Sequence, residues 1–190
     1  MKNILILDGN PKTSSFSALL CNTYESSARQ HSEIRRFCLH QMNFNPSLDC
    51  GYDSIQKLET CLVEFQEAVL WADHIVIISP IWWGGLPAKL KGLFDRTFLP
   101  NFSFKYIEEN PVPTKLLKGK TSRIILTMDA PLEYTEEQAQ PVIEQLDKFT
   151  LQFCGIEKAE YSLFGSMISA SKEDTENWIR IVSKLGARDH

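Results

Sequence analysis

A chain of 190 residues, 43% apolar and 23% charged, has the size and composition of one domain with a full core. Its net charge of −4 argues against a nucleic-acid or anionic-membrane surface, and it contains no apolar run of about 18 residues that would cross a bilayer. Five cysteines (Cys21, Cys38, Cys50, Cys61, Cys154) without CxxC spacing, and four scattered histidines (His31, His40, His74, His190), predict reduced thiols and no bound metal. A start that enters a strand at once, without a cleavage region, adds the expectation of a cytoplasmic protein.

In chain order, residues 3–8 read as a hydrophobic strand ending in Asp8-Gly9-Asn10-Pro11. Lys12-Thr13-Ser14-Ser15-Phe16-Ser17 then leads into a helix with Leu19 and Leu20 expected on its inner face. A hydroxyl-rich loop ending at a helix N-terminus offers free N–H groups and the positive end of the dipole, so a phosphate is expected there. The alternative is that the serines only cap the helix. Neither GxGxxG nor GxxxxGK[ST] occurs, which counts against a dinucleotide-type loop and a P-loop. Residues 33–39 suit a second, more polar strand, 41–54 look irregular, and Leu58, Leu62, Phe65 and Val69 recur at helical spacing.

Ile75 to Ile78 form an unbroken β-branched run, the pattern of a strand covered on both faces. Pro80 ends it, and Ile81-Trp82-Trp83-Gly84-Gly85 follow before Pro87 opens a helix. That helix places Leu90, Leu93, Phe94 and Phe98 on one side, with Lys89, Lys91 and Arg96 elsewhere. Two indoles in such a loop call for something flat and apolar against them; the alternative is that they plug the sheet's edge.

Residues 99–119 make a long connection in which Phe102, Phe104 and Tyr106 alternate, as in a partly extended flap. Thr121 to Met128 form a fourth strand running into Asp129-Ala130-Pro131-Leu132-Glu133-Tyr134. Val142, Leu146, Phe149 and Phe153 mark the next helix, stopped by Gly155; Ala159 to Phe164 suit a fifth strand. A last helix follows Ser171, with Trp178, Ile181, Val182 and Leu185 on its buried side.

Strands alternating with helices predict one α/β domain over 1–190: a doubly wound, five-stranded parallel sheet in order 2-1-3-4-5 with helices on both faces. The loops after strands one, three and four would then share one rim. They offer an anion site, an apolar slab and polar atoms, the set a flavin needs.

The segments Ser79-Pro80-Ile81-Trp82-Trp83-Gly84-Gly85-Leu86-Pro87-Ala88, Leu90-Lys91-Gly92, Asp95-Arg96 and Phe102-Ser103-Phe104-Lys105-Tyr106 resemble the flavodoxin-like NAD(P)H:quinone oxidoreductase family. So do Gly9-Asn10-Pro11 and Ser15-Phe16-Ser17. The resemblance implies a flavin, FMN or FAD, held by Asn10, Ser15, Phe16 and Ser17, and a ring lined by Pro80, Ile81, Trp82, Trp83 and Gly84, with Thr127, Met128 and Asp129 at its edge. It further implies a substrate pocket walled by Trp83, Phe104 and Tyr106, with the flap closing over the partner's flavin in a homodimer. The reaction implied is ping-pong hydride transfer from NAD(P)H through the flavin to a quinone-like acceptor. Tyr134 matches the family's catalytic tyrosine, without the histidine that normally follows it. Asn10 stands where a histidine is usual, and Thr127-Met128-Asp129-Ala130-Pro131 where Thr-Thr-Gly-Gly is frequent. Asp129 would be unfavourable beside a reduced flavin unless it points away. Two other readings of the same fold are a regulatory flavoprotein docking to a membrane transporter, such as a potassium-efflux system, and a small electron carrier.

Overall fold

In the computed structural model the described residues are 1–107 and 110–188. Glu108 and Glu109 of the 99–119 connection, and His190, lie outside them.

Apolar runs without alternation become the sheet's interior. Strand β1 (Lys2–Asp8) and β3 (His74–Pro80) are parallel neighbours, and every residue of β3 is buried. β2 (Ser32–Cys38) pairs with β1 at one edge, and β6 (Thr121–Thr127) carries β7 (Glu160–Phe164) at the other. The order is β2-β1-β3-β6-β7, all parallel. Discounting the two extra strands described next, this is the predicted 2-1-3-4-5. The edge strands are partly exposed, which fits their more polar sequences. The long connection does fold as an extended flap: β4 (Phe104–Ile107) and β5 (Asn110–Lys115) form an antiparallel hairpin outside the sheet.

Two cores follow from the two faces. On one, α1 (Phe16–Ala28) and α5 (Lys172–Arg188) cover Ile4, Ile6, Val76 and Ile78. On the other, α2 (Thr60–Trp71), α3 (Ala88–Thr97) and α4 (Thr135–Ile143) cover Leu5, Leu7, Ile75, Ile77 and Ile124. The chain therefore leaves β1 toward one face and β3 toward the other. That divergence opens a crevice at the carboxyl ends of these adjacent strands, where open α/β sheets take ligands.

Three sequence expectations are corrected. Leu19 is 43% exposed; Leu20, Cys21 and Tyr24 supply the buried side of α1. Arg96, grouped with the outward lysines of α3, is 1% exposed. Its guanidinium donates to the carbonyls of Asn45 and Lys57 and to the Glu59 carboxylate, so it pins the irregular segment before α2 onto α3. Phe149 and Phe153 are 63% and 37% exposed rather than core. The α4 helix contains Pro141, which has no N–H to donate, and continues as a π-helix over Glu144–Leu151 before a last turn at Gln152–Cys154. The wider turn rotates each residue less, which carries the two phenylalanines off the buried stripe.

Candidate active site

The crevice is assembled by three loops tied through their backbones. Gly9 N–H donates to Ile78 O at 2.8 Å, joining the loop after β1 to β3. Glycine allows this close approach: a Cβ there would lie 2.7 Å from Leu90 Cδ2, 3.1 Å from Ser79 Cβ and 3.2 Å from Ile78 O, so Leu90 and its neighbours would have to shift. Ile81 N–H donates to Thr127 O at 2.8 Å and joins the loop after β3 to β6.

In the first loop Ser15 is the N-cap of α1, its Oγ accepting the Ala18 N–H at 3.1 Å. One of the candidate hydroxyls is thus engaged in capping, as the alternative reading held. Helix geometry still leaves the Phe16 and Ser17 N–H groups without an intrahelical acceptor, and no acidic residue sits in the first turn to cancel the dipole. Asn10 is buried; its Nδ2 donates to Ser17 Oγ at 3.4 Å, and its Oδ1 accepts the Lys12 N–H at 3.0 Å. Beneath it lies fully buried Asp8, whose Oδ1 accepts the Asn10 N–H at 3.2 Å and whose Oδ2 is 3.5 Å from Arg36 Nη2. Burial pushes the Asp8 carboxyl above its ordinary value, against the Asn10 N–H and the nearby Arg36 and His40 charges. The Arg36–Asp8 support was missed from sequence, although a carboxylate closing an otherwise apolar strand was its visible trace.

In the second loop Trp82 and Gly85 exchange reciprocal N–H···O bonds of 3.0 Å around Trp83 and Gly84, both at positive φ (52° and 67°). This is a two-residue type I′-like turn in which a tryptophan holds a left-handed conformation that favours glycine or asparagine. Trp83 is fully exposed, at 104%, and Trp82 is 43% exposed, so neither plugs the edge of the sheet. A strained backbone that presents a bare indole at the carboxyl end of a buried strand is the sort of arrangement that accumulates at ligand sites.

The third loop answers the question raised by its sequence. Asp129 Oδ1 accepts the Ile168 N–H at 2.9 Å, so the carboxylate is directed at the loop after β7. Met128 is withdrawn: its side chain is 2% exposed, and its N–H and C=O bond to Phe164 O and Met167 N. Its N–H is therefore spent inside the sheet, which leaves no free N–H at Met128 for a ring edge. Thr127 is also buried, while Tyr134, on a short 3-10 turn (Leu132–Tyr134), is 55% exposed.

Phe104 and Tyr106 are brought together elsewhere. Their rings stack edge-on at 5.7 Å, Phe104 also meets Phe153 at 5.1 Å, and both line a cavity of about 620 Å³ with Phe94, Phe98 and Phe149. Of the loop after β3, only Leu86 lines this cavity. Within one chain Trp83 does not line this cavity, so a pocket walled by both Trp83 and the flap aromatics would have to form between two copies.

Over residues 2–184 the sequence matches the family described as having a flavodoxin-like fold. A Haemophilus influenzae protein named as an uncharacterized NAD(P)H oxidoreductase is 30% identical over 174 residues, covering 87% of this chain and 84% of that protein. This chain belongs to the flavodoxin-like NAD(P)H oxidoreductase family. It is an oxidoreductase. An FMN-dependent NADH:quinone oxidoreductase of Idiomarina loihiensis is 32% identical over 113 residues, 59% of this chain and 60% of that one. The solved structure of an NAD(P)H:quinone oxidoreductase from Methanothermobacter marburgensis has the same fold, with a TM-score of 0.81, 19% identity, and coverage of 100% of this chain and 99% of that one. Among the described residues, no helix of this flavodoxin-like protein is long and apolar enough to cross a membrane.

Proposed function

We propose that this oxidoreductase binds FMN in the crevice and passes one hydride, two electrons, from NAD(P)H to a quinone-like acceptor in two separate half-reactions at one site, the acceptor taking its second proton from solvent. The observation that carries the reading is the adjacency of two features: an α1 N-terminus free of first-turn acids, and a fully exposed, left-handed Trp83 one strand away. FMN is favoured over FAD by the names of the related quinone oxidoreductases.

When bound, the flavin supplies two-electron hydride acceptance and donation. The chain's own residues bind and orient it. The Phe16 and Ser17 N–H groups, with the Ser17 hydroxyl, hold the phosphate; Asn10, replacing a cationic side chain, gives a neutral contact braced from below by Asp8. Trp83 and Gly84 present a flat wall and an approachable backbone to the ring, and Trp82 and Pro80 close its side. Asp129, bonded to Ile168 N–H, keeps its charge away from the ring's edge. The exposed Tyr134 phenol donates a proton or hydrogen bond to the acceptor oxygen.

The separate cavity supports a homodimer. Apolar Phe149 and Tyr106 stand exposed beside Phe104 and α3, a face that a second copy would cover while carrying Tyr106 toward its partner's ring.

The test is a flavin absorbance spectrum of the purified chain, mass analysis of the released chromophore, and NADH oxidation with a quinone. Parallel double-reciprocal lines are expected. A colourless chain that stays colourless when supplied with FMN overturns the reading. Ser17→Ala should weaken FMN binding about ten-fold, the effect of one hydrogen bond to a charged group. Tyr134→Phe should lower kcat while FMN affinity is kept.

A further inference from the structure

We propose that Asp8, Cys38 and His40 form a binding site for a divalent cation of the zinc class, on the α1 face beneath the first loop. Asp8 closes β1, Cys38 is its register partner at the end of β2, and His40 follows in the 3-10 turn Leu39–Gln41. One carboxylate oxygen, one thiol sulfur and one imidazole nitrogen from these residues all lie within 4.8 Å of one another. Around a tetrahedral zinc with bonds of about 2.0–2.3 Å such atoms are separated by about 3.3–3.8 Å, so side-chain rotations of about 1 Å close the set.

The orphaned atoms point the same way. Asp8 is fully buried and its Oδ2 meets only the Arg36 guanidinium, at a long 3.5 Å, while the buried Nδ1 of His40 has no hydrogen-bond partner. Buried polar atoms are normally satisfied, and a ligand is one of the standard reasons for an exception. Asp8 Oδ1 already accepts the Asn10 N–H, the kind of outer bond that orients a ligating carboxylate. Mixed oxygen, imidazole and thiolate donors suit zinc and not magnesium or calcium, and three protein ligands leave a fourth position open.

Arg36 is the opposing group. Its Nη2 pairs with Asp8 Oδ2 at 3.5 Å and its guanidinium also faces the Cys38 thiol, while its Nη1 is held by Asn22 and Glu25. A cation would take over the neutralisation of Asp8, and Arg36 would keep its other partners. The Cys38 thiol proton passes to solvent as the sulfur–metal bond forms. Cys38-x-His40 by itself has no metal-site spacing; only the pairing of β1 with β2 adds the third ligand.

The experiment titrates the chelator-treated chain with zinc by calorimetry, and with cobalt(II) as the spectroscopic probe. One equivalent should bind, and cobalt should show a thiolate charge-transfer band with the strong visible bands of a four-coordinate site. Cys38→Ser should abolish the charge-transfer band, and both it and His40→Ala should weaken zinc by about 100-fold. Arg36→Gln, which removes the competing charge, should tighten zinc by about ten-fold. Far-ultraviolet circular dichroism checks that each variant is folded, and Cys50→Ser, at an exposed thiol, should bind as the parent does. No stoichiometric binding, binding unchanged in folded Cys38→Ser, or binding lost in Cys50→Ser overturns the proposal. None of these readouts needs flavin, so this site and the oxidoreductase reading stand or fall separately.

Discussion

The turn at Trp82–Gly85 and the helix α3 that begins at Ala88 are near neighbours in the chain, and they are built on opposite terms. In the turn, Trp83 is fully exposed at a positive φ, and its backbone is fixed by only the reciprocal Trp82–Gly85 bonds. In the helix, Leu90 and Leu93 are wholly buried, and Arg96 satisfies a carboxylate and two carbonyls from a segment about 40–50 residues earlier in the chain. The turn is poised to meet a ligand and contributes little packing; the helix holds the sheet and the 45–59 segment together and offers the ligand little. A residue's apolar character does not separate these roles. Trp178, stacked on Phe164 at 5.4 Å and edge-on to Phe16 at 5.8 Å, is the same side chain as Trp83 in a structural position.

Mutations should keep the two regions apart. Leu93→Ala creates a cavity and should cost about 4 kcal/mol in urea unfolding, with FMN affinity of the folded chain unchanged. A parallel loss of FMN affinity would mean that the helix and turn are one unit. Arg96→Ala should cost about 3 kcal/mol, since it strips a buried cation from its partners. That pair also carries a pH signature. Burial raises the Glu59 carboxyl, but the Asn45 and Glu59 N–H groups and Arg96 outweigh it and hold it below its ordinary 4.5. Its share of stability is therefore present above about pH 4.5 and lost as pH falls through the lower folded value. The stability gap between the parent and Arg96→Ala should narrow over that acid range, and a gap constant with pH would remove Glu59 from the account. Trp83→Asn should change stability by less than about 0.5 kcal/mol, because asparagine tolerates the left-handed turn and no packing is lost. It should nevertheless weaken FMN or acceptor binding several-fold in fluorescence titration and steady-state assays. A large fall in melting temperature with unchanged kinetics would make Trp83 structural after all. Lys91→Ala, which removes an exposed i,i+4 pair with Asp95, should cost no more than about 0.5 kcal/mol.

The sequence by itself determined the sheet. Runs such as Ile75–Ile78, β-branched and stopped by Pro80, suit strands buried on both faces, and their alternation with amphipathic helices led to the parallel order and the shared rim of loops. It also indicated the flap, through the alternation of Phe102, Phe104 and Tyr106. Local periodicity failed where a distant partner or a backbone irregularity decided the outcome. Arg96 is buried because residues 45, 57 and 59 supply acceptors, and no helical wheel carries that information. Phe149 and Phe153 are turned outward by a π-helical segment. Asp129 is bonded to a loop nearly 40 residues away. The gathering of Asp8 with Arg36, Cys38 and His40 likewise exists only once β1 and β2 are paired, because spacing along the chain is blind to which strand ends become neighbours.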